Sequence, residues 1–274
     1  MLEHHVNHAL VTLLSDFGDR DVYVAVMKGV IAQVNPKLQV VDLMHQVPAQ
    51  DIAVARFCLI NAYPYFPQGT VHLAVVDPGV GSQRKAIAVK FAGGFLVGPD
   101  NGIFSGVLAQ NPAITSVELT NPQYWRTSQP SKTFHGRDIF APVAAHLASG
   151  VSIQQLGQEI DPRSLVKLNV KQCNQTKTAV TGCIQYIDHF GNLVSNIPES
   201  YVQAKKWCVQ ISGVMIPGCE TYSDVPFGDA IALVGSHGWV EIAVNGGNAH
   251  LQMHINFYDR LEVLFLHKNQ NALA

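Results

Sequence analysis

The spacing of hydrophobic and polar positions changes character about two thirds of the way along the chain. In the first part, short apolar runs alternate with longer stretches of helical period. Residues 9–14 (Ala-Leu-Val-Thr-Leu-Leu) form an apolar run ending at Ser15-Asp16-Phe17-Gly18. Tyr23, Val26, Met27, Val30 and Val34 then recur on one helical face, which Pro36 stops. Strands are predicted over 38–43 and 70–76, with a helix over 51–62 between them. A hairpin follows, with arms 85–90 and 95–97 around Ala92-Gly93-Gly94, and a helix runs from Asp138 to Ser149 with Gly150 closing it. Strands alternating with helices predict a Rossmann-like α/β domain with a mostly parallel sheet. From about residue 178 the apolar stretches shorten to 178–187, 193–197, 207–211, 230–234, 240–244 and 260–266, punctuated by Gly, Pro and Asn. This predicts a smaller, all-β, barrel-like domain. The boundary falls in the polar stretch 161–177, giving domains 1–170 and 171–274.

Composition narrows the function classes. The chain has 274 residues, 47% hydrophobic and 14% charged, with net charge −2. It has no run of Lys or Arg, which argues against nucleic acid. No apolar run approaches the ~20 residues of a membrane span. The start of the chain, Met1 to His8, is polar and unlike a signal peptide, and His4, His5 and His8 read as a frayed end rather than a metal site. Cys58, Cys173, Cys183, Cys208 and Cys219 are odd in number and contain no C-x-x-C, which fits buried thiols in a reducing cytoplasm.

Polar clusters at element ends carry the candidate chemistry. Asp77 ends an apolar strand and enters Pro78-Gly79-Val80-Gly81, with Arg84 seven residues on. A strand end followed by a Gly-rich turn is where open α/β sheets bind ligands; taken alone, the pair is a surface ion pair of small value. Asp16 stands at an earlier strand end, where an acidic side chain can hold a ribose diol, while Asp19 and Asp21 are expected to cap the following helix. His135 precedes Gly136-Arg137-Asp138 at a helix start. In the β region, Asn192, Ser236, Asn245 and Asn248 gather amide and hydroxyl groups. Glu241 interrupts an apolar strand, where a buried carboxylate needs a cationic partner.

Six segments together resemble the S-adenosyl-L-methionine (SAM) hydroxide adenosyltransferases, relatives of the fluorinating and chlorinating enzymes. They are Ser15-Asp16-Phe17-Gly18, Val76-Asp77-Pro78-Gly79-Val80-Gly81, Gly98-Pro99-Asp100-Asn101-Gly102, Phe134-His135-Gly136-Arg137-Asp138, Asp188-His189-Phe190-Gly191-Asn192 and Gly235-Ser236-His237-Gly238. The resemblance implies hydrolysis of SAM to adenosine and L-methionine by a homotrimer with active sites between subunits; no cofactor is expected, and without an H-x-x-x-H or His-rich ligand pattern no metal is expected either. It implies catalytic roles for Asp77, Arg84 and His135 and a ribose contact for Asp16. It implies substrate contacts at Asn192, Ser236, Glu241 and the backbone of Val244, with Asp188 on the methionine ammonium and Tyr222 stacked on adenine. Where the fluorinating enzymes carry Tyr, Ser and a nearby Thr, this chain has Asp77, Gly136 and Val80, so a carboxylate replaces the halide-contacting hydroxyls. His237 stands where they have Arg. Either Asp77 or His135 is a candidate base. Two rival readings are a metal-dependent hydrolase using Asp16, Asp77, Asp100 and His135, and a non-catalytic nucleoside- or SAM-binding protein.

Overall fold

The computed structural model describes residues 10–266, so the histidine-rich opening lies outside the described residues. The chain divides into two compact units, up to Leu168 and from Asn169. The first contains, in order, β1 (Leu10–Ser15), α1 (Tyr23–Val34), β2 (Gln39–Met44), α2 (Ile52–Ala62), β3 (Thr70–Val75), β4 (Ala86–Phe91), β5 (Gly94–Pro99), α3 (Ser105–Gln110), β6 (Thr115–Glu118), α4 (Ala141–Ala148) and β7 (Gln158–Ile160). Its sheet runs β2-β1-β3-β5-β4-β6-β7.

The expectation of a mostly parallel sheet is corrected here. The β2-β1-β3-β5 half is parallel, but β4 pairs antiparallel with both β5 and β6, and β6 with β7. The physical reason is connection length. The link of Ala92 and Gly93 between β4 and β5 is far too short for a parallel crossover, which needs a dozen or more residues. One sheet face carries Val11, Leu13, Val71, Leu73 and Val75 against the buried sides of α1 and α4. These strand positions alternate with Thr12 and His72, which meet through their side chains at 2.9 Å. His72 is ringed by Tyr63, Phe66 and Phe91, and burial pushes its pKa down to about 4. Burial on both faces is why residues 73–76 run apolar without alternation and why the polar Thr70 and His72 are themselves buried.

The second unit holds β8 (Asn174–Gln175), β9 (Ala179–Ile187), β10 (Leu193–Pro198), β11 (Trp207–Ile211), β12 (Val214–Pro217), β13 (Ala230–Val234), β14 (Trp239–Val244), α5 (Ala249–Met253) and β15 (Arg260–Phe265). Its sheet is antiparallel in the order β12-β11-β15-β9-β10-β14-β13, with β8 beside β9. A bridge from Gly218, just after β12, to Ala232 in β13 nearly closes it into a barrel. Val180, Ile184, Val209, Ile242 and Val263 fill the interior, the inward half of the alternating pattern in the sequence.

Candidate active site

The C-terminal ends of β1 and β3 deliver Asp16 and Asp77 to one cleft of about 360 Å³, within the size range of small-molecule sites. Phe17, Tyr23, Gln50, Val80, Phe134 and His135 share its wall. Phe17, Tyr23 and Phe134 form a tilted aromatic cluster with ring centroids 5.2–5.8 Å apart, a spacing that favours edge-to-face contact.

Asp77 is held through both oxygens. Arg84 Nε donates at 2.9 and 3.1 Å, and Arg84 Nη2 closes a bidentate pair. The side chains are 7% and 10% exposed, so this is a buried ion pair and not the weak surface pair that spacing alone suggests. The same Nη2 lies 2.7 Å from His135 Nδ1, and the Arg84 guanidinium sits over the Phe140 ring at 5.2 Å.

This geometry decides the protonation of His135. A guanidinium has donors only, so Nδ1 must accept, and the neutral ring carries its proton on Nε2. Burial pushes the His135 pKa below its ordinary value and Arg84 adds to this, against the opposing pull of Asp77 and Asp138. The neutral ring is therefore a hydrogen-bond donor through Nε2. It is a poor base, because its one acceptor nitrogen already faces Arg84.

The segment that carries His135 is held from behind. Gly136–Phe140 form a single π-helical turn, a feature frequent at functional sites. Asp138, fully buried within it, accepts from Arg126 Nε at 2.6 Å, Arg137 Nε and Nη2 at 2.7 and 2.8 Å, and Ser131 N at 2.8 Å. Burial alone would raise its pKa, but the bonds from Arg137, Ser131 and Arg126 outweigh this and hold it well below the carboxylate range. The 126–138 loop then leans on the Asp77 turn: at Gly81 (φ +77°) an added Cβ would lie 2.5 Å from the Lys132 carbonyl oxygen. A Cβ at Gly136 would press Met27 Sδ at 3.1 Å and the Phe134 ring at 3.2 Å.

The candidates of the second unit divide into engaged and open groups. Glu241 is buried and accepts from Tyr222 Oη at 2.6 Å, while its other oxygen lies 3.0 Å from His237 Nε2. His237 Nδ1 accepts from Trp239 N at 3.2 Å, so the ring is neutral with its proton aimed at Glu241. Burial raises the Tyr222 pKa, and the bond to Glu241 raises it further. The expected cationic partner of Glu241 is thus a pair of neutral donors, and the Tyr222 hydroxyl is tied to it. Asp188 closes its own hairpin: it accepts from Phe190 N, Asn192 N and Asn192 Nδ2 at 2.8–2.9 Å. The Val244 carbonyl accepts from Gly247 N at 3.0 Å. Ser236 is exposed in the turn before β14, and no other described residue bonds its hydroxyl.

Several expectations take a different form. Asp19 and Asp21 do not cap α1, whose N-cap is Val22 without a side-chain bond; Asp19 accepts from Gln46 Nε2 at 3.0 Å instead. Asp100 is not in the cleft wall. It accepts from Val166 N at 2.9 Å, and burial raises its pKa. Among the described residues, no group of three or more His, Cys, Asp or Glu side chains could hold a metal ion. The aromatic cluster and the backbone of Gln50 went unnoticed in the sequence; Phe17 and Tyr23 flanking the acidic loop were the available signal.

Residues 11–157 match the model of the SAM hydroxide adenosyltransferase N-terminal domain, and residues 182–262 match that of the C-terminal domain. The chain belongs to the SAM hydroxide adenosyltransferase family. A relative from Salinispora tropica named (R)-S-adenosyl-L-methionine hydrolase is 39% identical over 92% of this chain and 97% of its own length. One of the same name from Thermus thermophilus is 39% identical over 87% and 93%. A fluorinase from Nocardia brasiliensis is more distant, at 24% over 87% and 91%. The crystal structure of an uncharacterized conserved protein from Thermotoga maritima superposes with a TM-score of 0.88 at 33% identity, covering 93% of this chain and 99% of that one.

Proposed function

We propose that this family member hydrolyses SAM to adenosine and L-methionine by in-line attack of water at C5′ of the ribose. The observation that carries the reading is the buried Asp77–Arg84–His135 arrangement, in one cleft with Asp16 and the aromatic cluster. The sulfonium is already a good leaving group and needs no protonation. What is left for the protein is to orient a water molecule and stabilise its developing hydroxide character. His135 Nε2–H and Arg84 supply donors. Water's oxygen bonds to C5′ as the C5′–S bond breaks with its electron pair on sulfur, and Asp77 receives the water proton directly, since the His135 acceptor is already taken and Arg84 has donors only. Asp16 holds the ribose diol.

Two features favour water over a halide. Asp77 places a carboxylate where an anionic nucleophile would have to sit. The crowding around Gly136 leaves no room for a hydroxyl-bearing side chain without displacing Met27 or Phe134. The methionine and adenine ends fall to Asp188, Asn192, Ser236, Tyr222, Glu241 and the backbone of Val244. Of these, Ser236 presents an open hydroxyl, while Asp188, Tyr222 and Glu241 are already oriented by protein partners. In this reading the protein is a homotrimer whose sites lie between subunits. Its five free cysteines support a reducing, cytoplasmic setting.

The test is incubation of purified protein with SAM, alone and with chloride or fluoride, followed by chromatography. Adenosine and methionine in equal amounts, and no halogenated adenosine, are expected. Binding of adenosine without turnover would favour a sensor, and loss of turnover with chelator would favour a metal hydrolase.

A further inference from the structure

The Asp16 carboxylate is held by a second loop. The connection from β2 to α2 reaches the end of β1 and the connection that follows it at four points. His45 Nδ1 meets Ser15 Oγ at 2.8 Å, and the His45 carbonyl accepts from Gly18 N at 2.7 Å. Gln46 Nε2 donates to Asp19 at 3.0 Å, and Gln50 N donates to Asp16 Oδ2 at 2.8 Å. These bonds flank and include Asp16. Ser15 is buried at 1% exposure, and its hydroxyl also receives Phe17 N at 3.3 Å. His45 therefore anchors the residue before Asp16 through its ring and the residue two beyond through its backbone carbonyl.

Gln50 completes the arrangement. It is a non-glycine residue at φ +66°, a conformation that costs of order 1–3 kcal/mol and persists only where its surroundings impose it. Its N–H thereby occupies one oxygen of Asp16. Among the described residues, no protein group bonds the other oxygen.

We infer that His45 is a positioning residue for Asp16, locking the β1–α1 loop so that the free carboxylate oxygen is preset for a vicinal diol. This rests on the reading of Asp16 as the ribose contact. The anchor is the pair of contacts to Ser15 and Gly18. On the other side of the ring, Nε2 stands 3.1 Å from Asp42 Oδ1. Asp42 is itself paired with Lys28 at 2.5 Å.

The experiment compares wild type, His45→Ala and His45→Asn, whose amide can stand in for Nδ1 against Ser15. Calorimetry measures binding of adenosine and of 2′,3′-dideoxyadenosine, which lacks the diol. His45→Ala should weaken adenosine by roughly tenfold, the worth of about one well-made hydrogen bond to a charged group. It should leave dideoxyadenosine unchanged, and His45→Asn should restore most of the loss. Equal weakening of both ligands, or none for adenosine, overturns the inference. Hydrogen exchange reads the anchor without ligand. Amides of segments 15–21 and 45–50 should exchange faster in His45→Ala and recover in His45→Asn. Unchanged exchange also overturns it. Should wild type bind both nucleosides equally, the ribose role of Asp16 fails, and with it the diol presetting, while exchange still decides whether His45 anchors the loop.

Discussion

Two buried carboxylates, Asp77 in the α/β unit and Glu241 in the barrel, solve the same electrostatic problem with opposite consequences. Asp77 is neutralised by Arg84, a permanent cation that also takes the acceptor nitrogen of His135. The arrangement ends at a cleft in a donor, His135 Nε2–H, that no other described residue bonds. Glu241 is satisfied by Tyr222 and His237, and the far nitrogen of His237 is closed by Trp239 N. In that arrangement both oxygens of the acid and both ring nitrogens of the histidine are engaged by protein groups. A buried acid paired with a multivalent cation can pass on directed hydrogen bonds, whereas one paired with single donors is a structural knot. Both regions contain a histidine beside a carboxylate, and only the geometry tells the reactive one from the locked one.

The comparison breaks most visibly at Asp77. Asp77→Asn should lower kcat by about 10²–10⁴-fold with KM little changed, as expected for a group engaged only in the transition state. Turnover near wild type would move the chemistry elsewhere. Replacing His135 sharpens the donor assignment. His135→Gln places an amide donor near the Nε2 position and should retain about tenfold more activity than His135→Ala. Equal losses would restore the histidine as base.

The pH profile separates the same two roles. Burial and Arg84 favour neutral His135, so its protonation, which breaks the Arg84 contact, occurs below the ordinary histidine value of 6.5. The rate governed by this group should hold steady as pH falls from 7 through 6.5 and decline only below that. The histidine limb should be absent in His135→Gln, and a limb at or above pH 6.5 in wild type would contradict the geometry. The smallest effect is expected in the barrel. Glu241→Gln removes the charge that the Tyr222 and His237 bonds address, a loss worth roughly 1–3 kcal/mol in urea unfolding. No loss of stability would show that the knot contributes nothing.

Much of this was legible in the sequence because local patterning governs it. The period change near residue 178 marks where helices covering a sheet give way to a nearly closed antiparallel one. The apolar run before Asp77, interrupted only by His72, signals a strand buried on both faces. The spacing of Asp77 and Arg84 raised an ion pair, but its burial depends on Phe140 and the 126–138 loop, which arrive from far along the chain. The antiparallel half of the first sheet was hidden for a related reason: β5 inserts between β3 and β4, and no local pattern encodes that order. Tautomers lie further still from sequence. His135 and His237 each precede a glycine, and only the partner of Nδ1, a guanidinium in one case and a backbone N–H in the other, distinguishes them.

The central claim is that water, oriented by Arg84 and His135 beside Asp77, attacks C5′ of SAM. Turnover in H₂¹⁸O with mass analysis of both products tests it most directly. The account predicts one ¹⁸O in the 5′ oxygen of adenosine and none in methionine. Label in methionine, unlabelled adenosine or a product retaining the C5′–S bond would contradict it.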